Sequence, residues 1–433
     1  MQSLHAILAA NKTGQQRGLY SVCSAHPLVL KAALLQAKQD QSPLLIEATA
    51  NQVNQDGGYT GMAPTDFIAF VRQLATEVGF NEQQLIFGGD HLGPVCWQYL
   101  PAAQAMAKAE VLIAAFVAAG FEKIHLDTSM PCADDPAVLS DEVIAERAAQ
   151  LCQVAEQSAA TKGRAGSLCY VIGTEVPPPG GVAELEQGIA PTSVASVKAT
   201  LQAHKQAFAA AGLAAEVWSR VIAVVVQPGV EFDNSQVHAF DAAKAHDLTA
   251  FIQAEPGLVF EAHSTDYQSG MAYQALVQGH FAILKVGPQL TFALREALFA
   301  LALLEQQLIP ASQSSALITT CLALMAEKPQ HWHKFYRAEG AELVQLQLYS
   351  YSDRIRYYWP EPLLQQAVAR LFSNLRGCTL SQPLLHQFLP QHTVPESVQS
   401  LTTDPEQLVI RHIQRVLARY AKACGFQQQE LQQ

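Results

Sequence analysis

The sequence Phe87-Gly88-Gly89-Asp90-His91-Leu92-Gly93-Pro94 places a carboxylate beside an imidazole where a short apolar run ends. Glycines before this pair and a Gly-Pro after it allow the backbone to turn sharply. A strand that ends in Asp-His and enters a tight loop can hold a metal ion or a proton-transfer pair at the mouth of a barrel. Taken alone, the segment is also explained by a turn that Asp90 caps, with His91 bonded to a nearby backbone group.

The segment belongs to a strand-then-helix pattern that recurs eight times between residue 18 and about residue 308. In each unit a β-rich run and a polar or glycine-rich turn precede a segment rich in Ala, Leu, Gln and Glu. Eight such units predict an α/β fold in which a parallel sheet closes into a TIM (β/α)8 barrel. A doubly wound open sheet is the alternative, but no early Gly-x-Gly-x-x-Gly supports it. The predicted strands are 18–25, 44–50, 85–91, 123–129, 167–175, 221–227, 258–264 and 281–287.

After about Pro310 the pattern stops and the sequence becomes mainly helical. We therefore predict two domains, a barrel over residues 1–308 and a helical C-terminal extension over residues 309–433. The extension contains the aromatic and basic segment SDRIRYYWP at residues 352–360. This segment fits a partner interface, where Tyr, Trp and Arg are enriched, and it fits core packing of the extension equally well.

The composition bounds the partners and the compartment. The 433 residues carry a formal charge of -11 without a basic cluster, which argues against nucleic acid and anionic membranes as partners. The first residues lack a basic region followed by a long apolar one, so we expect no secretory signal. The eight cysteines form no Cys-x-x-Cys pair and read as free thiols of a reducing compartment, the cytoplasm.

Polar side chains share one face of several predicted strands, because successive side chains point to opposite faces. The simplest arrangement turns this polar face toward the barrel lumen and the apolar face toward the helices. Lys285 would then neutralise Glu47 or Glu261, since an unpaired interior charge is costly. Such an ion network and a catalytic role are compatible. The polar positions are Glu47, Thr49, His125, Asp127, Glu261, His263 and Lys285.

The carboxyl ends of the predicted strands gather a candidate metal site, because these ends meet at one mouth of a closed barrel. His91, Glu175 and His263 form a credible Zn²⁺ ligand set with an open position. A metal there could polarise a ketone and stabilise an enediolate, with Asp90 as the proton-transfer group. The carboxylates behind these ligands are Glu47, Asp127 and Glu261.

A phosphate site is expected beside the metal site, because loops after the seventh and eighth strands bind phosphate in such barrels. The hydroxyls of Ser264 and Thr265 and the amide of Gly287 suit a phosphate, and Lys285 supplies a cation nearby. Ser264 and Thr265 are explained equally well as caps of the following helix.

The chain resembles the Z subunit of tagatose-1,6-bisphosphate aldolase, which occurs in bacterial galactitol and N-acetylgalactosamine breakdown. The resemblance extends nearly from end to end, and the amino-sugar variant is the more similar one. It implies a subunit without aldolase activity of its own, which supports the activity and stability of a catalytic Y subunit. The complex would cleave tagatose 1,6-bisphosphate to glycerone phosphate and glyceraldehyde 3-phosphate. The matching segments include IEATANQVNQDGGYTGM (46–62), GGDHLGP (88–94), KIHLDTSM (123–130), YVIGTEVP (170–177), FEAHSTDYQ (260–268) and SDRIRYYWP (352–360).

The Z subunit is in turn similar to class II aldolases, whose Asp-His and later metal histidine match Asp90-His91 and His263. Two departures count against independent catalysis. Glu175 stands where those enzymes have a second metal histidine, and Gly287 replaces an asparagine that contacts phosphate. The alternative is a metal-dependent sugar-phosphate aldolase or epimerase that is active by itself. The sequence contains no Gly-x-x-x-x-Gly-Lys-Ser/Thr loop, which argues against a kinase. A Schiff-base aldolase would need Lys285 as its nucleophile.

Overall fold

Parallel strands close into a barrel, as the sequence predicted. The computed structural model describes residues 2–175, 189–390 and 404–426. Around the barrel the order is β1-β10-β9-β6-β5-β4-β3-β2, and within the described chain β7 and β8 form a separate antiparallel pair. The strands are β1 Leu19–Val22, β2 Leu44–Thr49, β3 Leu85–Leu92, β4 Lys123–Leu126, β5 Cys169–Ile172, β6 Val221–Val225, β7 Glu231–Phe232, β8 Val237–His238, β9 Val259–Ala262 and β10 Phe281–Val286.

The helices begin and end at residues suited to these positions. Hydroxyls of Ser140, Ser193 and Ser269 accept backbone N–H groups of the first turns that follow. Gly79 and Gly120 end two helices in the left-handed conformation. The helices are α1 Gln2–Lys12, α2 Pro27–Asp40, α3 Pro64–Val78, α4 Ala102–Ala119, α5 Asp141–Thr161, α6 Val194–Ala210, α7 Ala215–Trp218, α8 His246–Ala254, α9 Gly270–Gln278, α10 Pro288–Leu308, α11 Leu317–Glu327, α12 Gly340–Tyr349, α13 Pro362–Arg376, α14 Gln382–Phe388 and α15 Pro405–Ala423.

The helix α4 is long and apolar enough, by length and composition alone, to cross a membrane, and no other helix in the described ranges is. It packs against α3 and α5 on the outside of the barrel. A core helix of a globular protein passes the same test.

The barrel lumen is apolar at the amino ends of the strands. Leu19, Leu45 and Ile86 belong to one buried cluster that also contains Leu4 and Leu8 of α1. The helix α1, which precedes the first strand, therefore closes the bottom of the barrel. The carboxyl ends of the strands, at the opposite mouth, carry the polar residues.

The C-terminal helices share the barrel's hydrophobic core. The helix α15 packs against α2, α9 and α10, and buried residues of α13 and α15 belong to the same apolar cluster as the outer faces of the strands. The segment 352–360 is mostly buried, with Tyr358 and Trp359 at 1% and 4% exposure, and the Trp359 ring lies edge-on to that of His26. This arrangement fits core packing and brings Arg356 and Tyr357 to the mouth of the barrel.

Candidate active site

A β-bulge turns both Asp90 and His91 toward the mouth. Adjacent strand residues normally face opposite sides, but the register of β3 against β4 shifts between Gly89 and Leu92. His91 adopts a left-handed φ of 49° within this irregularity. The glycines beside it are required by space: a Cβ on Gly88 would lie 2.6 Å from Glu47 Oε1, and one on Gly93 would lie 1.6 Å from the Asp127 carbonyl oxygen.

Two histidines at the mouth are each held by a carboxylate. Asp127 Oδ2 lies 2.6 Å from His91 Nδ1, and Glu261 Oε1 lies 3.0 Å from His263 Nε2. An ionised carboxylate only accepts, so each ring donates its N–H and, when neutral, keeps a lone pair on the other nitrogen. Burial lowers the pKa of His263 to about 3, which keeps this ring neutral. The carboxylate–histidine pair is the arrangement that orients metal-binding histidines.

A third histidine completes a triangle of imidazole rings. The ring centroids of His91, His125 and His263 lie 5.0 to 5.2 Å apart. His125 Nδ1 accepts the backbone N–H of His91 at 3.2 Å, while its buried Nε2 has no hydrogen-bond partner within the described part of the chain. A buried polar atom without a partner is costly, which marks this nitrogen as a candidate contact for a bound group.

Potential metal ligands fall into overlapping groups around this triangle. Ligand atoms of Asp90, His91 and His125 lie within 4.8 Å of one another, and so do those of His125, Glu261 and His263. The side chains of these residues come from β3, β4 and β9 and the residues that directly follow them. The donor set of imidazole and carboxylate groups is one that Zn²⁺ accepts.

Below the histidines, two lysines bind three carboxylates inside the lumen. Lys123 Nζ lies 2.5 Å from Glu47 Oε1 and 2.6 Å from Glu261 Oε2. Lys285 contacts Glu47 and Asp90, and lies 3.3 Å from Glu261 Oε1. Strands β2, β4 and β9 are not neighbours in the barrel, so these contacts cross the lumen. The polar face therefore points inward, and Lys285 neutralises both glutamates that the sequence offered as alternatives.

The lysines keep the buried carboxylates ionised. Burial alone raises the pKa of Asp90, but the charges of His91 and Lys285 outweigh it and hold this pKa well below its ordinary value. The pKa of Glu261 is held low in the same way by Lys123 and Lys285. Thr49 fixes the second oxygen of Asp90 through a hydrogen bond of 2.8 Å. Asp90 is thus an oriented, ionised carboxylate that lines the mouth pocket beside His91 and His263.

Glu175 lies apart from this cluster. Its side chain is exposed and accepts a hydrogen bond of 2.5 Å from the Thr192 hydroxyl. It joins none of the groups of three or more potential ligands that the described residues form. In this geometry His125, rather than Glu175, stands with His91 and His263.

The residues expected to bind phosphate are divided. Ser264 lines the pocket, with its hydroxyl bonded to the Glu231 carboxylate. The Thr265 hydroxyl instead donates to the Lys285 carbonyl at 2.6 Å and is fully buried. Neither caps the next helix, because Ser269 caps α9.

The amide of Gly287 is already bonded to a carboxylate. Asp266 Oδ1 accepts the N–H groups of Gly287 at 3.1 Å and of Gln289 at 2.8 Å, at the start of α10. A helix N-terminus attracts anions, and here the anion comes from the chain itself. Burial raises the pKa of Asp266 to about 6.

Sequence reasoning placed His125 on the polar face of its strand but not among the candidate ligands, and it missed Lys123. Both have the parity of Asp127 on β4, so the alternation that selected Asp127 also pointed to them. The role of Asp266 had no such signal, because it depends on how the loop after β9 meets α10.

The known family that matches is described as D-tagatose-1,6-bisphosphate aldolase subunit GatZ/KbaZ-like, over residues 4–425. The chain belongs to this family. The match spans barrel and C-terminal helices alike, so the aldolase-subunit family comprises both parts. Its members are thus related to tagatose-bisphosphate aldolase, as the sequence resemblance indicated.

Solved structures similar to this family member include one protein of high identity. A probable tagatose 6 phosphate kinase from Sinorhizobium meliloti 1021 is 46% identical, with a TM-score of 0.86 over 94% of this chain and 100% of the other. The fructuronate-tagaturonate epimerase UxaE from Cohnella laeviribosi is 11% identical, with a TM-score of 0.49 over 95% and 82% of the two chains. The fructose-bisphosphate aldolase of Campylobacter jejuni is 13% identical, with a TM-score of 0.42 over 86% and 94%. Likenesses as distant as the last two carry no argument about this site.

Proposed function

We propose that the chain is the accessory subunit of D-tagatose-1,6-bisphosphate aldolase and supports the activity and stability of a catalytic Y subunit. Family membership supports the role in this aldolase. The free cysteines, all eight of them without disulfides, fit a reducing cytoplasm. Support would act by mass action, since binding the folded Y subunit stabilises it.

One observation carries the accessory role. The Asp266 carboxylate occupies the amides at the start of α10, where a barrel of this type would bind a substrate phosphate. An anion there repels phosphate and has already used the N–H donors. A mouth with this site filled is poorly suited to grip both ends of a bisphosphate by itself.

The experiment is a reconstitution. Purified Y subunit is assayed for cleavage of tagatose 1,6-bisphosphate, and its melting temperature is measured, with and without an equimolar amount of this chain. We expect both activity and melting temperature to rise, and neither to rise with an unrelated barrel protein. Unchanged values for the Y subunit would reject the accessory role.

A second candidate is favoured by the carboxylate–histidine pairs: a metal-dependent sugar-phosphate aldolase or epimerase that acts alone. The residues present fit Zn²⁺, because a carboxylate orients each of His91 and His263 through one ring nitrogen and His125 has an orphaned buried nitrogen. His91, His125 and His263 would hold the ion, with Glu175 outside the group. A Zn²⁺ ion held there would supply Lewis-acid polarisation of a substrate carbonyl.

The residues of the chain would do the remaining work. Asp90, ionised and fixed by Thr49, can take a proton from a substrate hydroxyl at the mouth and return it. Lys285 keeps Asp90 ionised and so sets its strength as a base. Asp127 and Glu261 hold the imidazoles in place from behind.

Metal analysis followed by assays of the chain alone tests this candidate. We expect stoichiometric Zn²⁺ in the wild type, lower occupancy in His91→Ala, and lyase or epimerase turnover on sugar phosphates that Asp90→Asn abolishes. His204→Ala is the matched control, because His204 is buried in α6 and away from the mouth. A chain that binds no metal and turns over no sugar phosphate would eliminate it. The description of the Sinorhizobium protein suggests a kinase role. The present sequence contains no Gly-x-x-x-x-Gly-Lys-Ser/Thr loop to support that role.

A further inference from the structure

The lysine expected to bind a substrate phosphate is not free to do so. Lys285 is 5% exposed and bonded to Glu47, Asp90 and Glu261, while Lys123 is fully buried between two of the same carboxylates. The buried carboxylates neutralise the positive charges of both lysines inside the lumen. A phosphorylated ligand in the mouth therefore needs another cation.

Arg356, from the C-terminal extension, lines the same pocket as His91 and His263. Only 9% of the residue is exposed. Its Nη1 donates to the carbonyl groups of Ser352 and Asp353, and its Nη2 lies 3.3 Å from the Tyr357 hydroxyl. No carboxylate of the described residues forms an ion pair with it.

The acidic groups whose charges act on Arg356, Asp353 and Asp266, are bonded to other partners. Asp353 pairs with Arg295 at 3.2 Å, and Asp266 is turned toward the amides at the start of α10. A guanidinium buried to this degree without a carboxylate in direct contact is costly. Its charge remains available to an anion that enters the pocket.

A second arginine adds to the positive potential behind Arg356. The Arg354 guanidinium lies 3.2 Å from the ring centroid of Phe335, and its buried Nε and Nη2 have no partner among the described residues. Burial raises the pKa of Tyr357, yet the charges of Arg356 and Arg354 outweigh it and lower this pKa below its ordinary value. The lowered pKa of this phenol therefore reflects the positive charge that the two arginines place at this corner of the mouth.

We propose that Arg356 binds the phosphate group of a phosphorylated sugar whose carbonyl end reaches His91 and His263. A guanidinium matches phosphate through paired, charge-assisted hydrogen bonds. The proposed anion site lies on the wall of the mouth that the C-terminal extension forms. The sequence analysis placed the phosphate site in the barrel loops instead. The choice of a sugar phosphate as ligand rests on the proposed function, but the anion site rests on the contacts of Arg356.

The test compares full-length variants in binding D-tagatose 6-phosphate and unphosphorylated D-tagatose by isothermal titration calorimetry. We expect wild type to prefer the phosphorylated sugar, and Arg356→Gln to bind it roughly 10- to 100-fold more weakly while its weak affinity for D-tagatose is unchanged. Arg356→Lys, which keeps the charge but loses the planar fork, should fall between. Arg411→Ala, an exposed arginine of α15, is the matched control and should bind as wild type does.

Equal affinity of wild type and Arg356→Gln for D-tagatose 6-phosphate would overturn the inference, and so would a wild type without preference for the phosphorylated sugar. Unfolding without ligand checks that each variant is folded; if Arg356→Gln is not, an unchanged affinity in Arg356→Lys overturns the inference instead. The two proposals can fail separately. If Arg356→Gln selectively loses phosphate binding while the wild-type chain neither supports the Y subunit nor turns over sugar phosphates, the proposed function is rejected and the inference stands.

Discussion

Nδ1 of His91 lies 2.6 Å from Oδ2 of Asp127, a contact that joins strand β3 to the residue that directly follows β4. The contact settles which nitrogen of His91 faces the mouth. Ser129 holds the other oxygen of Asp127 at 2.7 Å, so the carboxylate cannot rotate away.

Asp127→Asn should weaken Zn²⁺ binding at the proposed site by roughly 10- to 100-fold. An amide fixes the orientation of the His91 ring, and raises the basicity of its other nitrogen, less well than a carboxylate does. Competition with a chelating dye measures the affinity. Asp56→Asn, at an exposed position, is the control. An affinity unchanged by Asp127→Asn would contradict the supporting role assigned to the Asp127–His91 contact.

Lys123→Met should destabilise the fold by about 3–5 kcal/mol, because it leaves Glu47 and Glu261 without their buried partner. Lys108→Met removes a surface pair in which both side chains are exposed, and should cost no more than about 1 kcal/mol. Urea unfolding at neutral pH measures both. Similar losses in the two variants would contradict the role assigned to the lumen network.

Glu231→Gln should flatten the dependence of stability on pH. Burial raises the pKa of Glu231 to about 7 from its ordinary value of 4.5, so the folded chain binds more protons than the unfolded chain between these values. Stability from this group is therefore complete below about pH 4.5 and is lost as the pH rises through 7. Unfolding free energies at pH 5 and pH 8 should differ less in the variant; an identical difference would show that Glu231 titrates normally.

Leu4→Ala should cost about 2–5 kcal/mol, since this fully buried side chain closes the bottom of the barrel. Leu303→Ala, with 40% of the residue exposed on α10, should cost about 0.5 kcal/mol or less. Denaturant midpoints compare the two variants with wild type. A small loss in Leu4→Ala would show that α1 is not part of the folding unit.

The barrel was predictable because each strand carries its own signal. Seven predicted ranges contain an observed barrel strand and the third ends one residue short of its strand, since apolar alternation and the following turn are local features. The hairpin of β7 and β8 was not predicted, because two-residue strands leave no periodicity to read. The closing helix α1 was also missed, since nothing local indicates that it packs under the lumen.

The site was predictable only where strand parity holds. Glu47, Glu261 and Lys285 meet as the alternation requires. Parity fails beyond the strand ends: Ser264 adopts a left-handed φ of 51°, after which Thr265 turns away from the pocket. Arg356 could not be placed from sequence, because its position depends on how the extension packs on the barrel.

One side of the vestibule is built by residues encoded after the last barrel unit. A gene fragment that stops at the end of α10 would still encode every strand of the barrel. The mouth of that barrel would lack Arg356 and Tyr357, which the C-terminal extension contributes. A transplanted or engineered version of this site therefore has to include both the barrel and the C-terminal extension.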